Sequence, residues 1–270
     1  MKYIICLMAL IWAAPAVAMG PSKRECVLDV PCELGDRSYH VKEPDDWDGT
    51  SPMPVVIHFH GWQRTGALPV KHQRISGATR RRGVLLIAPN GQRKTWDMWS
   101  PETDDVQFAA DVLEDVIKRY PIDPDNIFVS GYSYGSIMAW RVACDRGEEM
   151  NIRALLGISG IVGSNDCAQA PQEVRHVHGL KDNVLDFPFG PGGDETGPVA
   201  LWRSKMGCEE PASTPAEWSA VEILTLTRRT WDCAGDQKVS LDVHPGGHFI
   251  PHGWIARQLD ELLDRPPVYP

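Results

Sequence analysis

Asn126-Ile127-Phe128-Val129-Ser130-Gly131-Tyr132-Ser133-Tyr134-Gly135-Ser136-Ile137-Met138-Ala139-Trp140 is the stretch that decides the fold. Its first five residues form a short, mostly apolar run that reads as a strand. Its last five read as the start of a helix. Between them lies Gly131-Tyr132-Ser133-Tyr134-Gly135, a G-x-S-x-G motif. An ordinary βα turn can also be rich in glycine. A serine held between strand and helix is the specific feature, because such a turn forces it into a strained conformation at a helix N-terminus. There the backbone N–H groups and the helix dipole favour developing negative charge. Ser133 is therefore the expected nucleophile.

Outward from this turn, short Val/Ile/Leu-rich runs alternate with helical patterns. Strands are expected over 55–59, 84–88, 127–130, 154–158, 174–178 and 239–244. Apolar strands alternating with helices imply a mostly parallel central sheet with helices on both faces. Phe108, Val112, Leu113, Val116, Ile117 and Tyr120 recur at helical spacing, with Asp104 and Asp105 as expected caps and Pro121 as the stop. Further helices are expected from 133 to about 144 and over 198–206, with Gly207 ending the latter. Residues 186–198 are rich in Gly and Pro and read as a loop. Arg80-Arg81-Arg82 reads as the solvated, basic end of a helix.

In a strand–turn–helix serine hydrolase the acid and then the base follow the nucleophile along the chain. The run from Val174 to Asp182 offers a strand, a turn and an acid. Asp182 is thus expected to orient the base, with Asp186 as its alternative. His244, His248 and His252 follow. His248 lies on a loop, Pro245-Gly246-Gly247, past the last strand, where a base can hang over the serine. The oxyanion donors are expected to be the N–H groups of Tyr134, after the nucleophile, and of Trp62, after the strand that ends in His60-Gly61.

His58 and His60 form an H-x-H pair, and so do His176 and His178. A metal needs three or four converging ligands. Strands 55–59 and 174–178 should not be neighbours, so packing roles are expected, with no metal and no cofactor. Trp62, Trp96, Trp99 and Tyr134 could form an aromatic cleft, with His60 beside it. Trp140 and Trp202, on helices, are expected in the core.

The 270-residue chain is 43% hydrophobic and 23% charged, an ordinary globular balance. Its formal net charge of −9 argues against nucleic-acid binding. Lys2, the short apolar run 4–12 and Ala16-Val17-Ala18 read as a signal peptide over 1–18, leaving one catalytic domain over 19–270. No later stretch is apolar and long enough for stable membrane insertion. Cys6 leaves with the signal. Cys26, Cys32, Cys144, Cys167, Cys208 and Cys233 remain, an even set that reads as disulfides in an exported protein. Sequence proximity favours 26–32, 144–167 and 208–233.

Several of these pieces together resemble one family. They are Val56 to Gly61, Trp96 with Asp104-Asp105-Val106-Gln107-Phe108, Gly131 to Gly135, His178-Gly179-Leu180-Lys181-Asp182, Trp202 with Gly207-Cys208, and Gly246-Gly247-His248. In this order they resemble the polyhydroxybutyrate depolymerases and feruloyl esterases, the carbohydrate esterase family one type of α/β-hydrolase. The resemblance implies the α/β-hydrolase fold, the Ser133–Asp182–His248 triad, the Trp62 and Tyr134 oxyanion hole, and the 144–167 and 208–233 disulfides. Trp62 stands where the family often has Cys, and Tyr134 where it often has a small or polar residue. His248-Phe249-Ile250-Pro251-His252-Gly253-Trp254 departs from the usual spacing to Trp-Pro-Gly. These positions bear on substrate choice.

The expectation is an exported, monomeric serine esterase that acts on small or oligomeric esters through an acyl-enzyme. Hydroxyalkanoate oligomers, feruloyl or acetyl sugar esters and short-chain esters all fit. The rivals are an acyltransferase on the same scaffold and a non-catalytic binding protein.

Overall fold

The structure is a computed structural model that describes residues 26, 30–161, 167–185, 197–208 and 214–269. The proposed signal peptide, Asp186 and most of the 186–198 loop lie outside the described residues. In chain order the elements are β1 (Cys32–Leu34), β2 (Arg37–Lys42), β3 (Met53–Phe59), α1 (Ala67–Lys71), α2 (Ser76–Arg80), β4 (Leu85–Pro89), α3 (Asp105–Arg119) and β5 (Ile122–Tyr132). They continue with α4 (Tyr134–Arg146), β6 (Ile152–Ile158), β7 (Glu173–Gly179), α5 (Gly197–Lys205), β8 (Ala216–Val221), β9 (Leu224–Asp232), β10 (Lys238–His244) and α6 (Trp254–Leu262).

The strands form one sheet in the order β1-β2-β4-β3-β5-β6-β7-β10-β9-β8. The stretch from β4 to β10 is parallel throughout. Antiparallel strands flank it on both sides. Alternation along the central strands explains why both faces are covered. Val55, Ile57 and Phe59 of β3 face one core with residues of α3, α4 and α5, including Ile137 and Trp202. Val56 faces the other core with Ile75 and Ala78 of the α2 region and Trp254, Ile255 and Leu259 of α6. The architecture is that of an α/β-hydrolase sheet.

All six expected strands and the three expected helices are present, with ends shifted by a few residues. The β8–β9 hairpin, β1, β2 and α6 were not anticipated. The hairpin is fixed to the sheet edge by a buried charge. Asp242 on β10, fully buried, accepts from Arg228 Nε at 2.9 Å and Nη2 at 2.7 Å. Trp218 Nε1 and Trp254 Nε1 also donate to it, at 2.8 and 2.7 Å. Each lone pair of this buried carboxylate is thereby answered, as burial requires.

Two expectations need correction. Asp105 stands in the first turn of α3, but its carboxylate does not cap the helix. It is buried, with Arg37 Nη2 at 2.5 Å and the Asp97 N–H at 2.7 Å, and Asp104 makes no capping hydrogen bond. Arg82 is not solvated. It is buried and forked onto Asp260 at 2.8 and 2.9 Å, joining the end of α2 to α6. A bidentate pair compensates the desolvation of a guanidinium that a lone charge could not survive.

Three disulfides link Cys26 to Cys32, Cys144 to Cys167 and Cys208 to Cys233. The last closes a 25-residue separation from the end of α5 to the end of β9, and should stabilise by roughly 3 kcal/mol in the chain-entropy model. No helix among the described residues is long and apolar enough to cross a membrane. Thiol titration of the unfolded, unreduced protein lacking residues 1–18 should find no free thiol, and reduction should lower the melting temperature. Two or more titratable thiols per chain would contradict the pairing.

Candidate active site

Ser133 sits between β5 and α4 with φ 57° and ψ −124°, outside the regions non-glycine residues normally occupy. The strain is held by the Ser133 N–H, which donates to Ile158 O at 2.9 Å, and by Ser133 O, which accepts from Ser136 N at 2.8 Å. The glycines of the motif are needed for close approach. A Cβ on Gly131 would collide with Gly135 O, and one on Gly135 with Phe59 O. The N-terminus of α4 is thereby pressed against the end of β3, bringing Ser133 beside the loop that begins at Gly61.

That loop is held from below by His60, which is buried, as is Trp96. His60 Nε2 accepts from the Gly91 N–H at 3.0 Å, so the proton is on Nδ1, which donates to Gly61 O at 2.8 Å. Burial lowers the pKa of His60 to about 4, so the ring is neutral near pH 7. Trp96 Nε1 donates to His60 O at 2.8 Å. Because a trans peptide points its C=O and N–H in opposite directions, locking Gly61 O fixes the direction of the Trp62 N–H. Among the described residues neither the Trp62 N–H nor the Tyr134 N–H donates to a hydrogen bond. His60 and Trp96 were expected to line the cleft; the structure encloses both rings. Their rings are enclosed because they brace the loop from inside. Trp62 is 60% exposed and Trp99 52%. The Trp62 and Tyr134 rings lie 6.5 Å apart, whereas Trp99 makes no ring contact with either among the described residues.

Asp182 and His248 are brought together by neighbouring strands. β7 and β10 pair in parallel, and the pairing continues past their ends. The Leu180 N–H donates to His244 O at 2.8 Å and the Lys181 N–H to Gly246 O at 2.9 Å. Gly179 permits this, since a Cβ there would strike Gly246 O and Gly247 O. His248 Nδ1 donates to Asp182 Oδ2 at 2.7 Å, while Asp182 Oδ1 accepts from Val184 N and Leu185 N, both at 3.0 Å. Burial alone would raise the Asp182 pKa. The His248 hydrogen bond and the two amides overcome it and hold the carboxyl below its usual value.

His176 and His178 support the same loop. His178 Nε2 donates to Leu185 O at 2.8 Å, which leaves Nδ1 to accept from His176 Nε2 at 3.2 Å. His58 Nδ1 meets Ser130 Oγ at 3.1 Å, and β3 and β7 are separated by β5 and β6. Among the described residues no three His, Cys, Asp or Glu side chains converge as a metal would require. His244 is buried under Phe249, with ring centroids 4.5 Å apart, and His252 contacts Arg74. Neither meets Asp182 in a hydrogen bond.

Tyr132 was not singled out in the sequence. Its hydroxyl donates to His248 O at 2.9 Å, and its ring lies against the imidazole with centroids 4.9 Å apart. It therefore ties the histidine loop to the residue preceding Ser133. Among the described residues no hydrogen bond joins Ser133 Oγ to His248. Such contacts are commonly long in a free enzyme and tighten on a bound substrate.

No protein-family profile matches the chain. It is 27% identical over 263 residues to a probable feruloyl esterase C of Aspergillus niger, covering 91% of this chain and 88% of that protein. It is 28% identical over 227 residues to feruloyl esterase C of Emericella nidulans, covering 80% and 77%. The solved structure of an acetyl xylan esterase from Aspergillus awamori superposes with a TM-score of 0.61 at 14% identity, over 80% of this chain and 90% of that one.

Replacing Tyr132 by Phe removes the hydroxyl and keeps the ring. Loss of one neutral hydrogen bond to the histidine loop should lower kcat by about tenfold at most. KM and the melting temperature should change little, as steady-state kinetics and thermal unfolding would register. A rise in KM at constant kcat would show that Tyr132 acts on substrate binding instead. The fold is that of the α/β-hydrolases, and the sequence is similar to feruloyl esterases over most of the chain.

Proposed function

We propose that this chain is a serine carboxylic ester hydrolase, one catalytic domain over 19–270, exported and stabilised by its disulfides. The observation that carries the reading is the 2.7 Å Asp182–His248 pair held by Tyr132 beside the strained Ser133 turn. Relationship to feruloyl esterases supports it. The leader-like N-terminus and three disulfides support export.

In this mechanism the neutral His248 takes the Ser133 hydroxyl proton on Nε2 as Oγ bonds to the ester carbonyl carbon. Asp182, already ionised, stabilises the imidazolium and keeps Nδ1 protonated. The carbonyl oxygen becomes an oxyanion and accepts from the Trp62 and Tyr134 N–H groups, whose directions the backbone fixes beforehand. Pre-set donors of this kind are each worth about 10²–10³ in rate. The alcohol leaves with the proton from His248. Water then gives its proton to His248 as its oxygen attacks the acyl carbon, and the Oγ–acyl bond breaks as His248 returns the proton to Ser133 Oγ, releasing the acid. No cofactor is needed.

The acyl group we assign is aromatic, of the feruloyl type. The relatives carry that name. The exposed Trp62 and the Tyr134 ring beside it offer flat apolar surface next to the oxyanion donors.

The Ser133→Ala variant should lose ester hydrolysis by on the order of 10⁴-fold or more with its melting curve unchanged. Retention of a tenth of the activity would sink the nucleophile assignment. A panel of methyl ferulate, a sugar acetate, a hydroxybutyrate dimer and a short-chain chromogenic ester should give the highest kcat/KM for the ferulate. A preference for the hydroxybutyrate dimer would move the substrate to polyester fragments.

A further inference from the structure

On the face that carries α2 and α6 there is a pocket of about 400 Å³, within the range of small-ligand sites. His72, Gln73, Arg74, Arg81, His252 and Tyr269 supply its polar groups, with Ala78, Gly253 and Ala256 as the apolar floor. Among the described residues no Asp or Glu lines it, although the chain has 36 acidic residues against 27 Lys and Arg. Arg37, Arg82, Arg175 and Arg228 each face a carboxylate. Among the described residues Arg74 and Arg81 make no ion pair.

The groups around the pocket are arranged as donors. Arg74 Nη1 donates to Ile250 O and Nη2 to His252 Nε2, both at 2.5 Å. His252 Nε2 accepts, so Nδ1 carries the proton toward Tyr269 Oη at 3.2 Å. Among the described residues His72 Nδ1 has no hydrogen-bond partner. Burial, then Arg74 and then His252 push the His72 pKa below its ordinary value, and burial and Arg74 do the same to His252. The positive charge of the pocket is thus carried by its arginines, and the field of Arg74 adds to burial in disfavouring a proton on either imidazole.

We propose that this pocket binds the carboxylate or phosphate of a small acidic ligand, with Arg74 and Arg81 as the charged contacts and His72 and Tyr269 as polar ones. Guanidinium forks match both oxyanions, which is why the two sources share one chemistry. The site borders the histidine loop, since Arg74 grips Ile250 two residues beyond His248. It is separate from Ser133 and does not depend on the proposed acyl chemistry.

Titration of the mature protein with inorganic phosphate, D-glucuronate and neutral D-glucose, followed by calorimetry and by the His imidazole NMR signals, tests this. Phosphate or glucuronate should bind and shift His72 and His252, while glucose should not. The tighter of the two anions identifies the source. The Arg81→Gln variant should weaken binding by about tenfold or more, the value of one charged contact, with ester turnover without added anion unchanged. The Arg81→Lys variant should restore part of the affinity. Absence of binding by both anions, or equal affinity in Arg81→Gln, would overturn the assignment. Because binding is read directly, a chain inactive toward esters would still give a clear answer.

Discussion

The backbone at Ser133 is the constraint on which the site depends. A serine at φ 57° and ψ −124° costs on the order of 1–3 kcal/mol relative to an ordinary conformation. It persists because β5, α4, β3 and β6 surround it and leave no alternative path. Gly135 lies so close to Phe59 O, and Gly131 so close to Gly135 O, that any side chain would push the elements apart. The strain is thus coupled to the packing of two strands and a helix whose residues are among the least exposed in the protein. The same close approach sets the N-terminus of α4 beside the Gly61–Trp62 peptide, so one turn arranges both the proposed nucleophile and the proposed oxyanion donors.

The remainder of the site is organised by hydrogen bonds beyond the ends of β7 and β10. Loops are usually where a structure is loosest, but these two are paired to each other at Leu180 and Lys181. A ladder of neutral histidines reaches from His176 through His178 to Leu185, whose own N–H binds Asp182. His60 performs a similar service under the opposite loop. Burial keeps these imidazoles uncharged, so each works as a fixed donor–acceptor pair. Histidines that look like metal ligands in the sequence are here structural connectors.

Buried charge holds the periphery. Asp242 fastens the edge hairpin and α6 to β10, and Asp260 with Arg82 fastens α6 to α2. Each of these carboxylates has a guanidinium and further donors, without which its burial would be strongly unfavourable. Among the described residues the pocket holding Arg74 and Arg81 lacks such a carboxylate, and that contrast gives it its chemical character.

The sequence by itself determined the central sheet and the turn at Ser133, favoured the pairing of six cysteines that the structure shows, and pointed to the meeting of Asp182 with His248. Each rests on a local pattern: an apolar run, a motif in its setting, proximity along the chain, or chain order after the nucleophile. Other features were decided only in three dimensions. Whether His60 and Trp96 line a cleft or support a loop depends on Gly91 and Gly61 approaching from different segments. Arg82 became buried because Asp260 reaches it across 178 residues, and Arg74 meets Ile250 across 176. Tyr132 lay inside the motif, yet its bond to His248 crosses 116 residues. Helix α6 did carry a helical pattern in Trp254, Ile255, Leu259 and Leu262 that could have been read. Local pattern states what a segment tends to form, whereas burial and partnership are properties of the packed whole, set by which distant surfaces the fold brings into contact.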